Sequence, residues 1–217
     1  MLDLRCYFVT GASRSPEDVV RIAAAAARGG AGVVQVRSKP ISARDLYHLG
    51  REVARAVAEA NPTTRVLIDD RVDVAAALRH AGEPVHGVHV GQDDVPVQAA
   101  RALLGPDAIM GLTTGTRELV EAANGVAEHI DYIGCGPFRA TPTKDSGRAP
   151  LGLHAYPDLV KLSRVPLVAI GDVTAGDAAD LAATGVAGLA VVRGIMHAED
   201  PEAYCREMLA GFNEGAR

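Results

Sequence analysis

The strongest constraint on the fold of this chain is a regular alternation that runs through all 217 residues: short apolar runs separated by longer stretches with helical periodicity. The apolar runs fall at 6–9, 32–37, 65–69, 87–90, 108–112, 132–134, 166–170 and 188–192. Runs such as Val66-Leu67-Ile68 and Leu167-Val168-Ala169-Ile170 have no polar side, the pattern of parallel strands covered on both faces. The stretches between them carry helix signals. Ser15-Pro16-Glu17-Asp18 offers an N-cap, a first-turn proline and two acids, Gly29-Gly30 ends that helix, and Ser42 with Asp45 opens the next. Leu46, Leu49, Val53 and Val57 then form one stripe, which should cover the sheet.

Strand, helix and strand in repetition predict right-handed βαβ units. About eight of them predict an α/β fold of the (β/α)8 TIM-barrel class, as one domain over residues 1–217, rather than an open doubly wound sheet. The 48% hydrophobic and 4% aromatic residues supply an aliphatic core suited to such layers. A net charge of -5, with no Lys/Arg stripe, argues against a nucleic-acid partner. Cys6, Cys135 and Cys205 have neither disulfide nor zinc spacing, the first ten residues lack a signal-peptide pattern, and no apolar run approaches the roughly 20 residues of a membrane span. The expectation is a cytoplasmic protein without membrane association.

In a barrel, chemistry belongs at the carboxyl ends of the strands, and polar residues recur there. After the second strand, Gln35, Arg37 and Lys39 share one side, either as an anion clamp or as a solvated rim. Asp69-Asp70 follow the third strand and Asp93-Asp94 the fourth; they suit Mg2+, which takes one or two carboxylates plus substrate phosphates, or alternatively cap the next helices. His89 is read as a structural residue whose ring is hydrogen-bonded locally. Thr113-Thr114-Gly115-Thr116 either binds phosphate or caps a helix at Thr116. The long excursion after the sixth strand carries Thr141, Thr143 and Lys144, and its part 138–150 is a candidate lid; Cys135 before it is a packing residue. Gly171, Gly194 and Arg193, at the last two strand ends, suit a phosphate.

Together, QxRxK, the acidic pair, HVGQDD and TPTK resemble the thiamine phosphate synthase family over nearly the whole chain. The resemblance implies a Mg2+-dependent transferase that moves an aminopyrimidinylmethyl group from its diphosphate to the ring nitrogen of a phosphorylated thiazole, giving thiamine phosphate and pyrophosphate. Carried over, Gln35, Val36, Arg37, Ser38, Lys39, Asp69, Thr113 and Lys144 would hold the pyrimidine diphosphate, with Arg37, Lys39, Thr113 and Lys144 as the catalytic set. Asp70 and Asp94 would hold magnesium, and Thr141, Pro142, Thr143, Asp172, Val192 and Arg193 the thiazole phosphate. Against the usual pattern, Asp69 replaces Asn, Gly115 replaces His, Asp172 replaces Gly and Arg193 replaces Ser. A thiazole tautomerase-like enzyme and a non-catalytic ligand-binding regulator remain alternatives on the same barrel. Oligomeric state is open, a homodimer included, because apolar helix faces serve core and interface alike.

Overall fold

A computed structural model describes residues 2–11, 15–140 and 147–217. Eight parallel strands close into a barrel in sequence order: β1 (Cys6–Val9), β2 (Val33–Val36), β3 (Arg65–Asp69), β4 (Gly87–Val90), β5 (Ile109–Thr114), β6 (Tyr132–Cys135), β7 (Leu167–Ile170) and β8 (Gly188–Val191). Closure is made by β1, which pairs Tyr7 with Val33 of β2 and with Ala190 of β8. The surrounding helices are α1 (Pro16–Arg28), α2 (Ala43–Ala60), α3 (Val72–His80), α4 (Val97–Leu104), α5 (Arg117–Asn124), α6 (Gly152–Leu162), α7 (Ala178–Ala183), α8 (Arg193–Met196) and α9 (Pro201–Gly215). The barrel expected from the strand count is therefore present.

Local chemistry explains the helix ends. Ser15 Oγ accepts from the Asp18 N–H and Ser42 Oγ from the Asp45 N–H, so both expected N-caps are formed. After α1 the chain turns at Gly30, whose φ of 96° is open to glycine and costly for other residues. Leu46, Leu49, Val53 and Val57 are buried along α2, as their spacing requires.

Strand bounds differ from expectation where hydrogen bonding, and not apolarity, decides them. β5 continues past Leu112 because Thr113 and Thr114 pair with Gly134 and Cys135 of β6. β2 stops at Val36, so Arg37 already belongs to the loop. Pro166 lies outside β7, having no N–H for the ladder.

The strand period of two sorts side chains into two cores. Phe8, Val34, Ile68, Val88, Met110, Ile133 and Leu189 point outward into the layer beneath the helices. Tyr7, Val9, Val33, Leu67, Tyr132, Val168 and Ala190 fill the barrel interior. All three cysteines are free and buried. Among the described residues, no helix is long and apolar enough to cross a membrane.

At the amino-terminal side of the strands, His86 Nδ1 accepts from the Val66 N–H at 3.0 Å. Burial first, then the Arg65 and Arg79 charges, lower its pKa to about 4. The folded state thus binds fewer protons than the unfolded chain between about pH 4 and the ordinary histidine value of 6.5. Stability contributed by neutral His86 is present above that window and is lost as pH falls through it. His86→Asn, whose amide oxygen accepts the same bond without titrating, should flatten the loss in urea titrations between pH 7 and 4. An identical pH profile in the variant would contradict this assignment.

Candidate active site at the strand ends

Each of the first six strands sends one polar side chain inward: Tyr7, Gln35, Asp69, His89, Thr113 and Tyr132. They meet in a cavity of about 410 Å³, and Val168, Ile170 and Ala190 of β7 and β8 form an apolar wall opposite. The polar groups are bonded in a line. Gln35 Nε2 donates to Asp69 Oδ1 through a short contact, Tyr7 Oη donates to Gln35 Oε1 at 2.8 Å, and the Tyr7 and Tyr132 hydroxyls lie 2.6 Å apart. His89 Nδ1 is 2.9 Å from Tyr132 Oη and Nε2 is 2.9 Å from Thr113 Oγ1. The expected local bonding of the His89 ring is therefore observed, and the ring also lines the cavity. Space for it comes from Gly111, where an added Cβ would lie 2.3 Å from both His89 Nδ1 and Tyr132 Oη.

Above this floor lies a charged rim. Thr10 Oγ1 accepts from the Arg37 N–H and donates to the Arg37 carbonyl, both at 2.8 Å, fixing that backbone where β2 ends. Arg37 Nε and Lys39 Nζ each lie 3.6 Å from Asp69 Oδ2, and Lys39 Nζ also contacts Asp70 Oδ2 closely. Burial pulls the Lys39 ammonium down, but the two carboxylates outweigh it and leave its pKa raised. Asp70 has a left-handed backbone, φ 58°, and its N–H donates to the His89 carbonyl at 2.7 Å. Its neighbour across the loop is Asp94, whose Oδ2 accepts from the Gly91 N–H at 2.7 Å. The Asp94 carboxyl is raised by burial first, against the Gly91 bond, and by the facing Asp70 carboxyl.

Helix capping does not explain either acid, since neither α3 nor α4 has a side-chain cap and their N-cap residues are Arg71 and Pro96. Thr116 does cap α5, accepting from the Leu119 N–H at 3.3 Å, whereas Thr113 belongs to the cavity. Three residues of the expected substrate set do not line this cavity. Val36 is fully buried in the outer core because the strand period turns it toward the helices, and Ser38 and Lys39 line a separate hollow between the β1 and β2 loops, the Lys39 ammonium reaching from there to Asp69 and Asp70.

The β7 and β8 loops close the other side, with Asp172, Val192 and Arg193 all lining the cavity. Asp172 also has a left-handed backbone, φ 57°, a conformation that favours glycine, and its carboxylate holds the Arg193 guanidinium. Arg139 bonds the Asp172 carbonyl at 3.1 Å and forks onto Asp177. Phe138, placed in the candidate lid by sequence, is instead buried against Tyr156, their ring centroids 6.1 Å apart. Thr141, Pro142, Thr143 and Lys144 lie outside the described residues.

Sequence reasoning passed over Tyr7, Tyr132 and Arg148, all of which line the cavity. Arg148 Nη1 donates to the Thr114 carbonyl at 3.1 Å and passes over Gly115, where an added Cβ would lie 3.1 Å from it. The tighter limit at Gly115 is the Gly136 carbonyl oxygen, 2.1 Å from an added Cβ, so glycine at 115 serves the approach of the β6 loop as well as this arginine. For the tyrosines the available signal was parity: they share the inward register of Gln35, Asp69 and Thr113.

Comparison with known proteins decides the family. The thiamine monophosphate synthase family model matches residues 6–195. The chain belongs to that family. A thiamine-phosphate synthase of Corynebacterium jeikeium is 70% identical over 213 residues, covering 98% of this chain and 96% of that protein. One from Corynebacterium efficiens is 67% identical over 213 residues, covering 98% and 97%. Among solved structures, the thiamine phosphate pyrophosphorylase from Pyrococcus furiosus superposes with a TM-score of 0.84 at 28% identity, covering 100% of this chain and 98% of that one.

The tight fit at Gly111 is testable. Gly111→Ala should destabilise the protein by about 1–3 kcal/mol, as overpacking does, seen as a lower urea midpoint. An unchanged midpoint would mean that the His89 and Tyr132 rings are not held as described.

Proposed function

We infer that the chain catalyses the thiamine phosphate synthase reaction, joining 4-amino-2-methyl-5-hydroxymethylpyrimidine diphosphate to the thiazole phosphate. The observation that carries this reading is the convergence of Arg37, Lys39, Asp69, Asp70 and Asp94 above a cavity with one polar and one apolar side. The bond between the pyrimidine methylene carbon and the diphosphate oxygen breaks, the thiazole nitrogen supplies the electron pair for the new C–N bond, and pyrophosphate leaves.

The developing charge on the leaving group is what the protein must stabilise. Asp70 and Asp94 are hard oxygen donors facing each other, a pair that would hold Mg2+, and the ion's charge would offset that of the diphosphate. Arg37 and Lys39 now neutralise Asp69 and Asp70, and they exchange that pairing for diphosphate oxygens when substrate binds. Gln35 and Thr113 orient the pyrimidine ring, while Val168, Ile170 and Ala190 exclude water from its other side. The thiazole nitrogen is itself the nucleophile, so positioning carries much of the remaining rate and no side-chain nucleophile is needed. Arg193 and the β7 and β8 loops receive the thiazole phosphate, joined by Thr141, Pro142 and Thr143; Lys144 joins the diphosphate set. Buried free cysteines fit a cytoplasmic location.

The purified protein mixed with both substrates and Mg2+ should release pyrophosphate and form a product of the mass of thiamine phosphate. No turnover with both substrates verified would sink the reading. Asp94→Ala should remove most of the thermal stabilisation given by Mg2+ plus the pyrimidine diphosphate, and retention of it would count against the carboxylate pair. Asp172→Gly should tighten thiazole phosphate, since it relieves the left-handed carboxylate-bearing residue and releases Arg193. Equal or weaker affinity in calorimetry would show that Asp172 does not oppose the phosphate.

A further inference from the structure

The line of hydrogen bonds across the barrel floor has one direction, and that direction can be worked out from its chemistry. The Asp69 carboxylate only accepts, so the amide nitrogen of Gln35 must face it and the amide oxygen must face Tyr7. That oxygen takes the one proton of the Tyr7 hydroxyl. Two phenol oxygens 2.6 Å apart need a proton between them, and Tyr7 has already used its own, so Tyr132 donates to Tyr7. Tyr132 in turn has no proton left for His89, so His89 Nδ1 carries the hydrogen in their 2.9 Å contact. In a neutral imidazole the other nitrogen is then an acceptor, and Thr113 Oγ1, at 2.9 Å, gives it its hydroxyl proton. Both tyrosines are fully buried, and burial before all else holds each phenol protonated, as their donor roles require.

We propose that Tyr7, Tyr132 and His89 are positioning residues that fix the polarity of the cavity floor, so that Thr113 Oγ1 offers only lone pairs to the ligand and selects an amino group over an oxo group at that end. The chain is anchored at the Asp69 end by charge, Arg37 and Lys39 lying 3.6 Å from the carboxylate. It crosses six strands in the order β3, β2, β1, β6, β4, β5, so a change on one side of the barrel is read on the other. An oxo heterocycle would set its carbonyl oxygen against the lone pairs of Thr113, whereas an amine supplies the missing hydrogen. The amino-pyrimidine identity of the ligand rests on the proposed reaction; the histidine tautomer does not.

The two parts are tested separately on the full-length protein. Long-range proton–nitrogen correlation spectra of ¹⁵N-histidine-labelled protein without ligand, assigned with His89→Gln, report which ring nitrogen of His89 is protonated. The expected result is Nδ1 in the wild type. In Tyr7→Phe, which touches neither His89 nor Thr113, Tyr132 is released to donate to Nδ1, and the proton should move to Nε2. Tyr132→Phe, which removes the acceptor directly, should do the same and serves if Tyr7→Phe does not fold. A wild-type Nε2 proton, protons on both ring nitrogens, or one tautomer throughout, would overturn the proposal. Binding of the 4-amino pyrimidine diphosphate and its 4-oxo analogue is then compared, with inorganic pyrophosphate and Mg2+ as the control for an intact rim. The wild type should prefer the amino form by about tenfold or more, the worth of one hydrogen bond. The tyrosine variant should lose that preference while keeping pyrophosphate affinity. An unchanged preference beside a shifted tautomer would overturn the role of Thr113. An Nδ1 tautomer with neither pyrimidine bound would contradict the proposed reaction and overturn the substrate half of the proposal.

Discussion

Closure of a parallel barrel forces the inward side chains of its strands into one shared volume. Six of those positions here are polar, and a buried polar group left without a partner costs about 1–3 kcal/mol. The line from Asp69 Oδ1 to Thr113 gives each of the six side chains a partner within the barrel, and Asp69 Oδ2 faces Arg37 and Lys39. Glycines at 111 and 134 leave the width that the histidine and tyrosine rings need. The cavity, its polar floor and the position of the charged rim all follow from that arrangement.

Electrostatics at the rim obey a second requirement. The cations at this rim would repel one another if they stood alone, and so would the carboxylates. Placing the two sets together removes both problems: Arg37 and Lys39 lie against Asp69 and Asp70, and Arg193 lies against Asp172. Under the proposed function, binding is then an exchange of partners and not a neutralisation of bare charge. The Asp in place of Gly at 172 fits this scheme, because Arg193 in place of Ser needs a counter-charge nearby.

Much of this was legible in the sequence because it depends on period and position. Eight apolar runs with helices between them led to the closed barrel, and the charges after the second, third and fourth runs led to the rim. Features that depend on the third dimension were not legible. Tyr7 and Tyr132 read as ordinary strand aromatics, since only barrel closure puts residues 125 positions apart in contact. Asp70 and Asp94 stand in sequence where helix caps could stand, and only the structure shows that the N-caps are Arg71 and Pro96. Val36 sits between Gln35 and Arg37 in sequence, yet the pleat turns it into the outer core. β5 runs beyond its apolar stretch because Thr113 and Thr114 stay in the strand through pairing that hydropathy does not register.

Exchange of partners at the rim can be followed by calorimetric titration of Mg2+ and inorganic pyrophosphate, alone and together. Each alone must break an existing pairing between cation and carboxylate, while the two together re-pair both sets. Either one alone should bind weakly, and each should bind at least tenfold more tightly in the presence of the other, a coupling of about 1.4 kcal/mol or more. Equal affinities with and without the companion would contradict the exchange.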